Sequence, residues 1–187
     1  MRRLAGFENI TLDGYFTTPD GDMGWAHGAA DPEFDAFVAD NASGGGQLLL
    51  GRKTYEMMAG YWPTPTAAQN APVVAERMNH MPKVVFSRTI DTAAWSNTTV
   101  VKGDLAATVR RMKQESGPGM TILGSGSIVS QLAQEGLIDE YQLVLNPVVL
   151  GRGRTLFDGI TRRPALKLTK SRVFRHGKVF LCYQPAA

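Results

Sequence analysis

One cysteine, Cys182, stands in a chain of 187 residues. An internal disulfide is excluded, and nothing resembles a zinc-ligand cluster, so no metal site is expected. Cys182 falls in a predicted strand and reads as a core residue, the usual place of a free cysteine. No apolar run approaches the roughly 20 residues of a membrane span. Glu8 interrupts any signal-like apolar stretch near the start, so the cytoplasm is the expected compartment. Charge of one sign is also scarce: 20 basic residues face 17 acidic ones, a net of +3. That excess argues for neither nucleic acid nor membrane, and suits a local basic site for a small anion. No repeat, linker or low-complexity tract divides the chain. With 43% apolar and 20% charged residues, it reads as one globular domain over residues 1–187.

What is there alternates between short apolar runs and amphipathic helical patterns, the signature of an α/β domain. Residues 3–10 read as a first strand, followed by a turn-rich loop through Asp13-Gly14 and residues 19–22. Asp31 and Pro32 open a helix as cap and first residue, with Phe34, Phe37 and Val38 as its apolar stripe. Residues 47–50 form a buried strand, and a helix runs from Gly51 through Met58 until residues 62–65 end it. Strands are expected at 83–87 and 98–102, and Asp104 caps a helix with Leu105, Thr108, Val109 and Met112 on one face. A strand at 120–123 feeds a helix over 127–135, with Gly136 just beyond it. A long strand covers 141–150, residues 151–154 form a loose loop, and 166–175 with 178–183 form a hairpin over His176-Gly177. The expected architecture is a mostly parallel central sheet flanked by helices, with an antiparallel C-terminal edge.

Three strand ends carry the chemistry. At Gly124-Ser125-Gly126-Ser127 an apolar strand breaks at glycines and a helix starts at once, which bares N–H groups that attract phosphate. The third glycine of a dinucleotide fingerprint is missing, since Val129 stands there. Taken alone, the turn fits either a phosphate site or a tight turn that merely needs glycine. At Gly51-Arg52-Lys53-Thr54, two cations at a helix start oppose the dipole unless an anion sits between them. At Ser87-Arg88-Thr89, two hydroxyls and a guanidinium follow a strand and suit one phosphate. All three lie at the carboxyl ends of strands, where open α/β sheets bind ligands.

Motif order and spacing over nearly the whole chain resemble the dihydrofolate reductase-like fold. The chain is most similar to the riboflavin-biosynthesis reductase domain and its small stand-alone bacterial relatives. The resemblance rests on Thr11-Leu12-Asp13-Gly14-Tyr15, Gly51-Arg52-Lys53-Thr54-Tyr55-Glu56, Val85-Phe86-Ser87-Arg88, Leu123-Gly124-Ser125-Gly126, and Pro147-Val148-Val149-Leu150-Gly151 with Gly153 and Leu156-Phe157. It implies NADPH as cofactor. Gly51, Arg52, Lys53 and Thr54 would face the pyrophosphate and adenine side. Ser87, Arg88 and Thr89 would face the 2′-phosphate. Leu123, Gly124, Ser125, Gly126, Ser127, Ile128 and Val129 would wrap the pyrophosphate, and Asn9 would lie near the nicotinamide. The family's chemistries imply reduction of a C=N bond in a heterocyclic or ribosylamino substrate, which needs a proton donor. Asp13 and Glu33 are the acids at matching places. Trp25, Phe37, Arg152 and Arg154 would contact substrate, the arginines through a phosphate. The resemblance also implies a homodimer. Dihydrofolate reduction and a non-catalytic NADP-binding module are the competing expectations.

Overall fold

The computed structural model describes residues 1–28 and 30–186. Along the chain lie β1 (Leu4–Thr11), β2 (Tyr15–Thr17), α1 (Pro32–Ser43), β3 (Gln47–Gly51), α2 (Arg52–Ala59), α3 (Pro65–Asn70), α4 (Pro72–His80), β4 (Lys83–Phe86) and β5 (Thr98–Val101). They are followed by α5 (Leu105–Gln114), β6 (Met120–Leu123), α6 (Gly126–Gln134), β7 (Glu140–Asn146), β8 (Arg154–Thr155), β9 (Leu166–Val173) and β10 (Val179–Pro185). Eight strands form one sheet in the order β5-β4-β3-β6-β1-β7-β10-β9. The first six run parallel; β10 pairs antiparallel with β7, and β9 with β10. This is the mostly parallel sheet with an antiparallel C-terminal hairpin that the sequence predicts.

Alternating side chains send the apolar residues of the central strands to both faces, as a sheet covered on both sides requires, whereas β9 is exposed along its length. On one face Leu4, Leu49, Ile122 and Leu143 pack with Val109 and Met112 of α5 and Ile128, Val129 and Leu132 of α6. On the other, Leu48, Leu50 and Val85 pack with Tyr55 of α2 and Met78 of α4. Farther along that face, Phe7 and Val144 meet Phe37 of α1, Phe174, Phe180 and Cys182. Cys182 is thus a core residue as expected.

Four local expectations change. The strand at 141–150 ends at Asn146: Pro147 follows, and the Val148 carbonyl accepts the Leu12 N–H at 2.9 Å rather than a sheet partner. The loops after β1 and β7 are not free, because Tyr15 and Thr17 pair with Thr155 and Arg154 in a two-stranded ribbon. The proline-rich stretch after Trp62 holds two helices, with Pro65 and Pro72 at their first positions, where a missing N–H costs nothing. Phe37, expected on substrate, instead lies 4.8 Å from the Phe180 ring and 5.3 Å from Phe174, within the core.

Candidate functional site

A cleft of about 580 Å³ opens where β3, β4 and β5 end. Gly51 and Arg52 line it from β3 and α2, Ser87 and Arg88 from the exit of β4, and Ser127 and Ile128 from α6. The fold therefore brings members of all three predicted segments to one cavity. Lys102, Gly103 and Asp104 line it too. The sequence reading placed Asp104 only as a helix cap; the signal for this wall was a fourth strand ending beside the other three.

The segments are braced against one another. The Thr54 hydroxyl donates to the Gly124 carbonyl at 2.8 Å, and the Gly51 N–H donates to Ser125 Oγ at 2.9 Å. Ser125 Oγ also donates to the Leu123 carbonyl at 3.1 Å. These hydroxyls fix the turn rather than wait for a ligand. Gly124 has φ +59, a left-handed conformation that favours glycine. Gly126 is needed for space: a Cβ there would lie 2.8 Å from the Phe16 ring. The turn contains no cis peptide. The N–H groups of Gly126 and Ser127 have no protein acceptor among the described residues. They are the donors that the start of α6 offers to an anion. Val129 is fully buried and belongs to the core, and Leu123, in the middle of the sheet, packs against the clusters around Tyr55 and Phe37.

Charge around the cleft is unevenly committed. Arg52 folds back on Glu56 at 2.9 Å, which relieves the conflict with the dipole of α2. Lys102 pairs with Asp91. Arg88 has no carboxylate partner among the described residues. Ser87 Oγ accepts the N–H groups of Thr89 and Ile90 at 3.2 and 3.0 Å and shapes its own turn. Lys53 and Thr89 are exposed and do not line the cleft.

The two predicted acids are engaged elsewhere. The Asp13 carboxylate accepts from the Thr11 hydroxyl at 2.6 Å and the Gly151 N–H at 2.7 Å, and from the Leu150 N–H at 3.1 Å. The Thr11 hydroxyl first, and the backbone donors after it, hold this carboxyl below its usual range. It clamps two loops. Glu33, in the first turn of α1, pairs with Arg172 of β9 at 2.8 Å on the surface. Trp25 sits in a short 3-10 turn at residues 24–26, and Arg152 lies near Asp20. Arg154 belongs to the β2–β8 ribbon. None of these three lines the cleft. Asn9 accepts at 3.1 Å from Asn146 Nδ2 at the carboxyl ends of β1 and β7, on the face that α1 covers.

One group went unread in the sequence. Glu8 of β1 is 1% exposed, and neither carboxylate oxygen has a hydrogen-bond partner among the described residues. Burial pushes its carboxyl well above the usual carboxylate range; the nearby Ser125 N–H, short of hydrogen-bond geometry, pulls weakly the other way. An acid in the middle of an apolar strand was the available signal.

A mostly parallel sheet flanked by helices, with an antiparallel C-terminal hairpin, defines the molecule as an α/β domain. Residues 6–180 match the RibD C-terminal domain, and the chain belongs to that family. It is 28% identical over 98% of its length to the uncharacterized protein YyaP of Bacillus subtilis (strain 168), of which it covers 95%. A protein from Shewanella sp. PV-4, provisionally assigned to riboflavin biosynthesis, shares its fold with a TM-score of 0.74 at 22% identity, over 99% of both chains. The Thermotoga maritima diaminohydroxyphosphoribosylaminopyrimidine deaminase/5-amino-6-(5-phosphoribosylamino)uracil reductase matches with a TM-score of 0.68 at 14% identity. That match covers 99% of this chain and 57% of the longer protein. The fold is thus that of the riboflavin-pathway reductases. Among the described residues no helix is long and apolar enough to cross a membrane.

Proposed function

We propose that this protein is an NADPH-dependent reductase of a heterocyclic or ribosylamino C=N substrate, akin to 5-amino-6-(5-phosphoribosylamino)uracil reductase. Family membership supports an oxidoreductase. The observation that carries the cofactor is the cleft, where Arg88, Arg52 and the first turn of α6 face one cavity. In this reading Gly126 and Ser127 hold the pyrophosphate by their N–H groups, and Ile128 closes the wall behind it. Arg88 takes the 2′-phosphate, and Arg52 swings from Glu56 to the adenine side. NADPH supplies a hydride when bound. In the same reading Asn9, which accepts from Asn146 and does not line the cleft, meets the nicotinamide edge.

Arg88 provides the test. A charge-assisted hydrogen bond contributes roughly 1.5–3 kcal/mol, about 10- to 100-fold in affinity. Arg88→Ala weakens NADPH by about that factor and leaves NADH nearly unchanged, measured by fluorescence titration. Equal loss for both cofactors sinks the 2′-phosphate assignment.

The non-catalytic module is the second reading, and one observation favours it: Asp13 and Glu33 are both engaged in structural contacts. Loss of NADPH absorbance with dihydrofolate or the phosphoribosylaminouracil separates the readings. Tight NADPH binding without oxidation by either favours the module.

A further inference from the structure

Glu8 lies directly behind the turn that opens α6. A Cβ on Gly6 would touch Val129 of α6 at 3.7 Å, so Glu8, two residues on, faces α6 as well. Its β7 partner in register is Leu143, while pairing with β6 stops one residue earlier, at Phe7 and Leu123. Glu8 therefore stands level with Gly124 and Ser125, where β6 leaves the sheet. Among the described residues the others named on that face carry no charge at neutral pH: Gly6 and Ile10 of β1, Tyr141 and Leu143 of β7, Val129 of α6 and Phe16 of β2; the Tyr141 hydroxyl is titratable, and burial pushes it up. Among the described residues, burial first and the Ser125 N–H second are the influences on its titration.

A buried, unpaired carboxylate is costly, and a buried acid without a cation partner keeps its proton instead. Here the one feature that favours the anion is the positive end of α6. That same dipole end, on its outer side, is what a ligand's phosphates would use. An ionised Glu8 and a bound pyrophosphate thus compete for one helix terminus from opposite sides of a single layer of backbone.

We propose that Glu8 is a positioning residue that couples anion binding at the α6 turn to protonation. A pyrophosphate on the turn and a charged Glu8 disfavour each other, so the ligand binds the form in which Glu8 carries its proton. Linkage makes the effect reciprocal: the bound anion raises the proton affinity of Glu8, and ionisation of Glu8 weakens the anion. This rests on reading the turn as the cofactor's anion site.

The test uses ADP-ribose, whose pyrophosphate does not titrate between pH 7 and 9.5, alongside NADPH. Calorimetry in two buffers of different ionisation enthalpy counts protons exchanged on binding. The intact protein takes up a fraction of a proton, rising toward one with pH, and its affinity falls toward tenfold per pH unit at the limit. Glu8→Gln keeps the shape and the low-pH affinity but shows neither uptake nor slope. Glu8→Leu, which suits the apolar surroundings, repeats the loss of slope and guards against a peculiarity of the amide. Identical slopes in all three proteins, or no uptake by the intact one, overturn the coupling and leave the cofactor reading intact. Failure of the intact protein to bind either ligand at any pH overturns both.

Discussion

Placing an alanine at Gly126 is ordinarily favourable in a helix, by up to about 1 kcal/mol. In this molecule the sign reverses. The new Cβ would stand 2.8 Å from two atoms of the Phe16 ring, closer than real contacts allow. Phe16 is half-buried against the core of the α6 face, so its ring cannot simply swing into solvent without loss. Overpacking of this kind costs about 1–3 kcal/mol; taking about 2 for it and up to about 1 for the helix preference leaves a net loss of about 1 kcal/mol. At this chain length each kcal/mol lowers the Tm by about 2–4 °C. Urea and thermal unfolding of Gly126→Ala measure the loss. The decisive comparison is the same substitution on a Phe16→Ala background. With the ring gone, Gly126→Ala becomes neutral or stabilising, and the two sites couple by at least 1 kcal/mol. A single variant as stable as the parent, or a loss that persists without Phe16, refutes the packing account of this glycine.

Two further outcomes concern ionisable groups. Lys83 is 1% exposed, donates to the Met78 and Met81 carbonyls at 2.8 and 2.7 Å, and is lowered to about 8 by burial. Below pH 8 both states hold the proton and the burial penalty is complete; between 8 and about 10.5 only the unfolded chain keeps it. Stability measured in urea therefore rises with pH across that window, and Lys83→Met flattens the rise; a parent curve already flat there counts against it. Asp13 has linkage of the same sign in the acid range: its carboxyl is held low, so its contribution is present above the unfolded value near 4 and is lost as pH falls through the folded one. Asp13→Asn speeds hydrogen exchange of the Leu150 and Gly151 N–H groups at neutral pH, and acidification does the same to the parent. Unchanged exchange in the variant denies Asp13 its clamping task.

Much of the fold was legible because its signals are local. β6 occupies 120–123 as read, since an apolar run ends at glycine. Asp31 caps α1 by accepting the Glu33 N–H at 3.0 Å, as a cap before proline should. What was not legible depends on partners distant in sequence. Tyr15 and Thr155 find each other across 140 positions, and no property of either loop announces it. Phe37 has the i, i+3 spacing of a buried stripe, yet the family resemblance drew it toward substrate; the aromatic residues of β10 and the hairpin decide that it is core.

The site shows the same division at the level of single atoms. Residue types at the strand ends marked three segments whose members line one cleft, because hydroxyls, cations and glycines gather there. They could not show which atoms remain free. A hydroxyl next to a bare carbonyl or N–H bonds to it, and Thr54, Ser125 and Ser87 all do so. Their work is to hold the backbone still. In the proposed reading recognition then passes to groups without such neighbours: the N–H groups of Gly126 and Ser127, and the guanidinium of Arg88. Side-chain substitutions at Thr54 or Ser125 therefore act by loosening the turn, whereas the loss at Arg88 is confined to ligands that carry the phosphate it meets. Glu8 follows from the same logic in reverse: among the described residues its carboxylate, buried behind the turn, has no hydrogen-bond partner either.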